Sequence, residues 1–218
     1  MIFSDRRHAG KELGQALSVY RNRADALVLG LPRGGVPVAV EVARTLRAPL
    51  DAFVVRKLGT PGREELAMGA IASGGVRVLN AEVIAHYRIS SASLDAVTKR
   101  EEAELMRREQ LYRGERPTIE AIGKIVILVD DGLATGSTMR AAVSALRELK
   151  PARIVVGVPV AAGAACEEFR SIADEMVCLT TPEPFNSVGA WYADFTQTTD
   201  AQVSELLAQR QLFPQGNV

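Results

Sequence analysis

Lys124 to Arg140 reads KIVILVDDGLATGSTMR, and the rest of the chain is arranged around this stretch. Ile125 to Val129 are consecutive apolar β-formers, too short a run for a helix and suited to a strand covered on both faces, as in a parallel sheet. Asp130 and Asp131 close that strand. Adjacent carboxylates at the carboxyl end of a buried strand sit where ligands of open α/β sheets bind, and they can accept hydrogen bonds from vicinal hydroxyls. Ala134 to Thr138 then turn the chain with small, hydroxylated and Gly-containing residues, before a good helix former from Met139 to Leu149. Backbone N–H groups and hydroxyls therefore converge at a helix N-terminus, which makes an anion site. A P-loop does not fit, because no Lys follows Gly136.

With 218 residues the chain can bury a full core, and one domain with an insertion is expected rather than two separate domains. Apolar residues make up 47% and charged residues 24%, as in ordinary globular proteins. The 26 basic and 26 acidic residues cancel, so no net positive field argues for nucleic acid and no polybasic run argues for a membrane surface. The longest apolar stretch, Ile154 to Cys166, is too short to span a bilayer, and the amino terminus MIFSDRRHAG lacks the apolar region of a signal peptide. A cytoplasmic protein with a small-molecule partner is expected. Cys166 and Cys178 make neither a disulfide framework nor a zinc knuckle, and His8 and His86 have no clustered ligands.

In chain order, Ser4 or Asp5 can cap a helix to about Arg21, and ALVLG, Ala26 to Gly30, is a short buried strand. LPRGG, Leu31 to Gly35, is a tight loop before a helix from Val36 to Leu46. Its Pro and glycines let the backbone approach a ligand closely, and Arg33 adds a forked donor suited to phosphate oxygens. PLDAFVV, Pro49 to Val55, reads as the next strand and delivers Arg56 and Lys57 at its carboxyl end, where two cations could meet a diphosphate. Ala70 to Leu79 reads as a hairpin around Gly74 and Gly75. Residues 80–120 read as a helical insertion, whose long helix through Arg113 carries charges of both signs and mostly faces solvent; Tyr112, Arg113 and Arg116 could reach a neighbouring active site or a dimer mate. Arg153 to Val158, Ala161 to Ile172 and Glu175 to Leu179 continue as strand, helix and strand. The whole is an α/β fold with a mostly parallel central sheet flanked by helices. Residues 180–218 form a tail with Phe185, Trp191, Tyr192 and Phe195 in a chain only 5% aromatic. These rings either stack on a planar heterocycle, with Asp194 reading its amino groups, or pin the tail to the core.

Diol-binding carboxylates beside a phosphate cradle describe a ribose 5-phosphate pocket. The stretch resembles the 5-phosphoribosyl 1-pyrophosphate (PRPP) motif of type I phosphoribosyltransferases, and DDGLATGST is most similar to the version in adenine phosphoribosyltransferases. The resemblance covers the order of parts over residues 26 to 160 and is weaker over 76 to 123 and 180 to 218. It implies transfer of the 5-phosphoribosyl group from PRPP to a nitrogenous acceptor with release of pyrophosphate, as in nucleotide salvage, by a homodimer. By the same resemblance Asp130, Asp131, Ala134, Thr135, Gly136, Ser137 and Thr138 bind the ribose phosphate, and the loop of Arg33, Gly34 and Gly35 binds the pyrophosphate. Leu58 to Met68 resembles the family's flexible lid, with Arg56, Lys57 and Glu65 as catalytic residues. Glu65 stands four residues before Gly69, where the family pattern has two. The tail corresponds to a hood that recognises the acceptor, through Phe185, Trp191, Tyr192 and Asp194. Mg²⁺ is implied as an ion carried by PRPP, with no side chain bound to it directly and Asp130 and Asp131 reaching it through water. The alternative is a non-catalytic PRPP sensor on the same fold. A sensor of that kind usually needs a nucleic-acid surface, against which the neutral charge counts. A pyrophosphokinase would need an ATP site and a longer chain.

Overall fold

The computed structural model describes residues 2–114 and 120–209. Asp5 caps α1 (Arg6–Ala16) by accepting a hydrogen bond from the His8 amide, and a 3₁₀ turn over Ser18–Tyr20 ends this segment. β1 (Ala26–Gly30), α2 (Gly35–Leu46) and β2 (Leu50–Ala52) follow. The chain then leaves the main sheet to build an antiparallel ribbon of β3 (Val55–Thr60), β4 (Arg63–Ala72) and β5 (Val76–Leu79). After α3 (Ala81–His86) and the long α4 (Ser91–Arg113), alternation resumes with β6 (Ile125–Val129), α5 (Ser137–Glu148), β7 (Arg153–Val160), α6 (Gly163–Ile172) and β8 (Glu175–Thr180). A tail carrying α7 (Asp200–Ala208) closes the described chain.

The central sheet has the order β2-β1-β6-β7-β8 and is parallel throughout, which is the α/β class expected. Strand alternation divides its core between two faces. Val28, Ile125, Ile127 and Val129 pack with Leu13 of α1 and Leu17 just after it, with α2, and with Val203 and Leu207 of α7. Leu27, Leu29, Val126 and Leu128 pack with Met139, Val143 and Leu146 of α5 and with Phe169 of α6. All five residues of β1 and of β6 are buried, which explains why each reads as an unbroken apolar run. From β1 the chain turns to β2 on one side, whereas from β6 it runs through β7 to β8 on the other. The order reverses between β1 and β6, where open α/β sheets form their ligand crevice.

Two readings are corrected and a third gains its form. The run Pro49 to Val55 is not one strand: Phe53 and Val54 form a buried corner, and Val55 already belongs to the ribbon, so Arg56 and Lys57 sit on β3 opposite Ile71 and Ala70. The segment expected as a flexible lid, Leu58 to Met68, takes the form of two paired strands joined at Pro61 and Gly62, with Leu58 and Met68 buried at its base. α4 does not simply face solvent, because Glu101, Leu105, Tyr112 and Arg113 are buried against the ribbon, β2 and α7. Arg113 pairs with buried Asp51 at 3.1 Å. Arg116, read as a residue that could reach a partner, lies outside the described residues, as does 210–218 of the tail. Among the described residues no helix is long and apolar enough to cross a membrane.

Candidate functional site

Because β1 and β6 pair in register, with Gly30 beside Val129, the loops that leave them emerge next to each other. Leu31 donates its amide hydrogen to the Val129 carbonyl at 2.9 Å, which draws the first loop across the end of β6. The approach is close enough to require glycine. A Cβ on Gly34 would stand 2.0 Å from Asp131 Oδ2, and one on Gly35 would stand 2.6 Å from the Val129 carbonyl oxygen. Arg33 extends from this loop to within 3.9 Å of Asp200 at the start of α7.

Asp130 accepts the Asp131 amide hydrogen at 2.9 Å. Loss of hydration pushes the Asp130 carboxyl well above its usual range, and the charge of Asp131 pushes it further. Asp131 is also pushed up by burial, but the Arg6 guanidinium opposes the shift. Two adjacent acids with unequal environments thus share one crevice, with Asp131 the more readily ionised neighbour of a cation.

Beyond Leu133, which bridges to Ala161, the chain enters α5 through Gly136 at φ 68°. No side chain caps this N-terminus. Its first amides are therefore left for another acceptor, and Thr135, Ser137 and Thr138 stand beside them in the turn. Gly136 also lies flat on Phe169, where an added Cβ would meet the ring at 2.5 Å. Gly136→Ala combines left-handed strain with this overlap. It is expected to cost about 2 kcal/mol or more and to lower Tm by roughly 4–8 °C, read by thermal unfolding.

The ribbon brings the remaining cations to this end. Lys57 and Glu65 face each other across β3 and β4 at 3.7 Å, with Glu65 fully exposed, so the pair is weak. Lys57, Glu65, Ser137 and Arg140 line one groove of about 700 Å³ between the ribbon and α5. Arg56 is held by Glu101 of α4, at 2.6 and 2.9 Å. In the tail, Tyr192 is buried and donates its hydroxyl to the Asp131 carbonyl, while its ring packs between Phe3 and Phe195. Asp194 is engaged by the amide and hydroxyl of Thr196. Phe185 and Trp191 pack on the same small cluster, and Trp191 Nε1 is buried with no hydrogen-bond partner among the described residues.

Three residues escaped the reading of the sequence. Arg6 binds Asp131, Glu101 binds Arg56, and Asp200 meets both Arg33 and the Tyr112 hydroxyl. Only Arg6 carried a local signal. A cation in the first turn of a helix opposes the helix dipole, and no acidic residue of that turn offsets it.

Among the described residues no group of three or more His, Cys, Asp or Glu side chains could hold a metal by itself. The hard oxygens of Asp130 and Asp131 suit a Mg²⁺ ion that keeps its waters and the phosphate oxygens of a substrate. Paired acids at the switch point, a glycine loop pressed onto them and an uncapped helix N-terminus thus meet at one end of the sheet. A family model described as the phosphoribosyl transferase domain matches residues 7–193, and the chain belongs to that family. The solved structure of the Thermus thermophilus protein TT1426 is similar at 44% identity and a TM-score of 0.86, covering 96% of this chain and 99% of that one. A protein of Mycobacterium tuberculosis, provisionally named a phosphoribosyl transferase, is 47% identical over 206 residues; the match covers 94% of this chain and 46% of that protein, so the chain spans about half the length of this relative. The bifunctional protein PyrR of Chloroflexus aurantiacus is 35% identical over 108 residues, 47% of this chain and 59% of its own.

Proposed function

We propose that the protein transfers the 5-phosphoribosyl group of PRPP to a nitrogenous acceptor, a base being the leading class, and releases pyrophosphate. The observation that carries this reading is the contact of Gly34 with Asp131, which brings the loop proposed for pyrophosphate against the acids proposed for ribose. Transfer breaks the C1–O bond, whose electron pair leaves with pyrophosphate, and forms a C1–N bond while the acceptor nitrogen loses a proton. Asp130 and Asp131 hold the ribose hydroxyls. The amides and hydroxyls of Ala134 to Thr138 hold the 5-phosphate, and Arg33 with the Gly34 and Gly35 amides holds the pyrophosphate. Mg²⁺, arriving with PRPP, would supply further charge neutralisation of the leaving group. Lys57 contributes its ammonium from the ribbon, Arg56 shares its guanidinium between Glu101 and the diphosphate, and Glu65 stands at the rim beside Lys57. Asp130 and Asp131 would help to hold the ion through water.

On the acceptor side, the buried Trp191 N–H, without a partner among the described residues, supports a ligand acceptor near the tail. With the Tyr192 hydroxyl occupied, that residue offers its ring, and Phe185 and Asp194 complete the acceptor side. A cytoplasmic location and a homodimeric state belong to this reading, supported by composition and family resemblance. Calorimetry with PRPP and Mg²⁺ tests it: wild-type protein binds, and absence of binding refutes the proposal. The ribbon supplies a second check. Its tip, Arg63 to Glu65, is exposed on all sides, so hydrogen exchange over residues 58 to 68 is expected to slow when PRPP and acceptor are both present. Equal exchange with and without ligands would make the ribbon a fixed wall rather than a lid.

A further inference from the structure

Arg6 reaches across the fold to the acid pair. Its Nε and one terminal nitrogen both lie 2.8 Å from Asp131 Oδ2, and its other terminal nitrogen donates to the Thr196 carbonyl at 2.8 Å. The Phe195 ring lies 3.9 Å from the guanidinium carbon. The two charged side chains are only 11% and 15% exposed. A desolvated ion pair is seldom the best way to stabilise a core, since apolar residues of the same volume serve as well. Its geometry points elsewhere. Oδ2 is confined between Arg6 on one side and Gly34 on the other. Oδ1 accepts no hydrogen bond from any other described residue.

From these contacts we infer that Arg6 is a positioning residue, which locks the Asp131 carboxylate so that Oδ1 meets a ribose hydroxyl, and which ties that acid to the tail bearing the acceptor-side residues. The inference rests on the function proposed above. A planar fork is needed for it. One guanidinium spans Oδ2 and the Thr196 carbonyl while lying on Phe195, which a lysine ammonium cannot do. Around Asp131 the other polar neighbours are Asp130 on its own segment and the Tyr192 hydroxyl from the tail, so Arg6 is the cation that orients this acid.

The test is a double-mutant cycle of Arg6→Gln and Asp131→Asn, read both as PRPP affinity by calorimetry with Mg²⁺ and as Tm. Each single variant is expected to lose affinity by about tenfold or more, and the double variant to be no weaker than Asp131→Asn alone, because Arg6 acts through Asp131. Arg6→Lys keeps the charge, and so the fold, but is expected to stay about tenfold weak in binding. Tyr20→Phe, which removes a hydrogen bond to Glu175 beyond the other end of α1, is expected to lower Tm with PRPP affinity unchanged. That control separates affinity from stability. Losses that multiply in the double variant, or full affinity in Arg6→Lys, would reduce Arg6 to a structural tether. Should wild-type protein bind no PRPP, the proposed function falls and the positioning role with it, while coupling in Tm alone would then mark the pair as structural.

Discussion

Asp130→Asn combined with Asp131→Asn is expected to weaken PRPP binding by about 10³-fold. A hydrogen bond to a charged group contributes about 1.5–3 kcal/mol, so losing two corresponds to roughly 10²–10⁴ in affinity. The carboxylates are the acceptors nearest the glycine loop, and neutral amides accept less strongly and attract the substrate's Mg²⁺ less. The two single variants should differ. Asp130 is held in an unfavourable environment by burial and by its acidic neighbour, so Asp130→Asn relieves repulsion and leaves the fold intact. Asp131→Asn strands the Arg6 guanidinium and lowers Tm. Calorimetry reads the affinity and thermal unfolding reads the fold; a folded double variant that binds PRPP like wild type would defeat the assignment of these acids.

The second large effect is on turnover. Lys57 lies on β3 in the same groove as Ser137 at the start of α5, and its only close partner among the described residues is the exposed Glu65 carboxylate. Its ammonium is therefore available to a leaving group. Negative charge gathers on pyrophosphate as the C1–O bond breaks, so this contact strengthens in the transition state and raises turnover more than ground-state binding. Lys57→Ala should cut the rate by about 10²-fold, comparable to losing one preorganised donor at an oxyanion, with a much smaller loss of PRPP affinity. Pyrophosphate release and PRPP titration on the same variant separate the two quantities. Release at the wild-type rate would remove Lys57 from the chemistry and leave the transferase reading standing.

The parts of the molecule legible in its sequence are those whose chemistry is local. β6 and its acids, the turn into α5 and the glycine loop after β1 each announce themselves within a few residues, because a strand buried on both faces is uniformly apolar and an anion cradle is uniformly small and hydroxylated. The ribbon was less legible. Gly59, Pro61 and Gly62 suggest a loop, but cross-strand pairing and the burial of Leu58 and Met68 decide for strands, and neither is visible in a linear pattern. α4 misled for a similar reason. Its mixed charges resemble a solvated surface, yet Glu101 and Arg113 are turned inward to partners on β3 and β2. Arg6 and Asp131 are 125 positions apart, so their pairing was out of reach; a cation breaking the dipole rule was the only trace of it. In the tail, the aromatics were open to two readings, and the packing of Tyr192 on Phe3 and Phe195 shows that pinning is at least part of their role.

In the proposed reaction PRPP binds across the switch point, where a nitrogen nucleophile takes its phosphoribosyl group and pyrophosphate is released. The most direct test is pyrophosphate release from PRPP and Mg²⁺ by the wild-type protein, measured across a panel of purine and pyrimidine bases, amines and small heterocycles. Acceptor-dependent release with at least one of them is expected, abolished to background in the Asp130→Asn, Asp131→Asn double variant. PRPP binding with no release for any acceptor would contradict the transferase and leave a sensor.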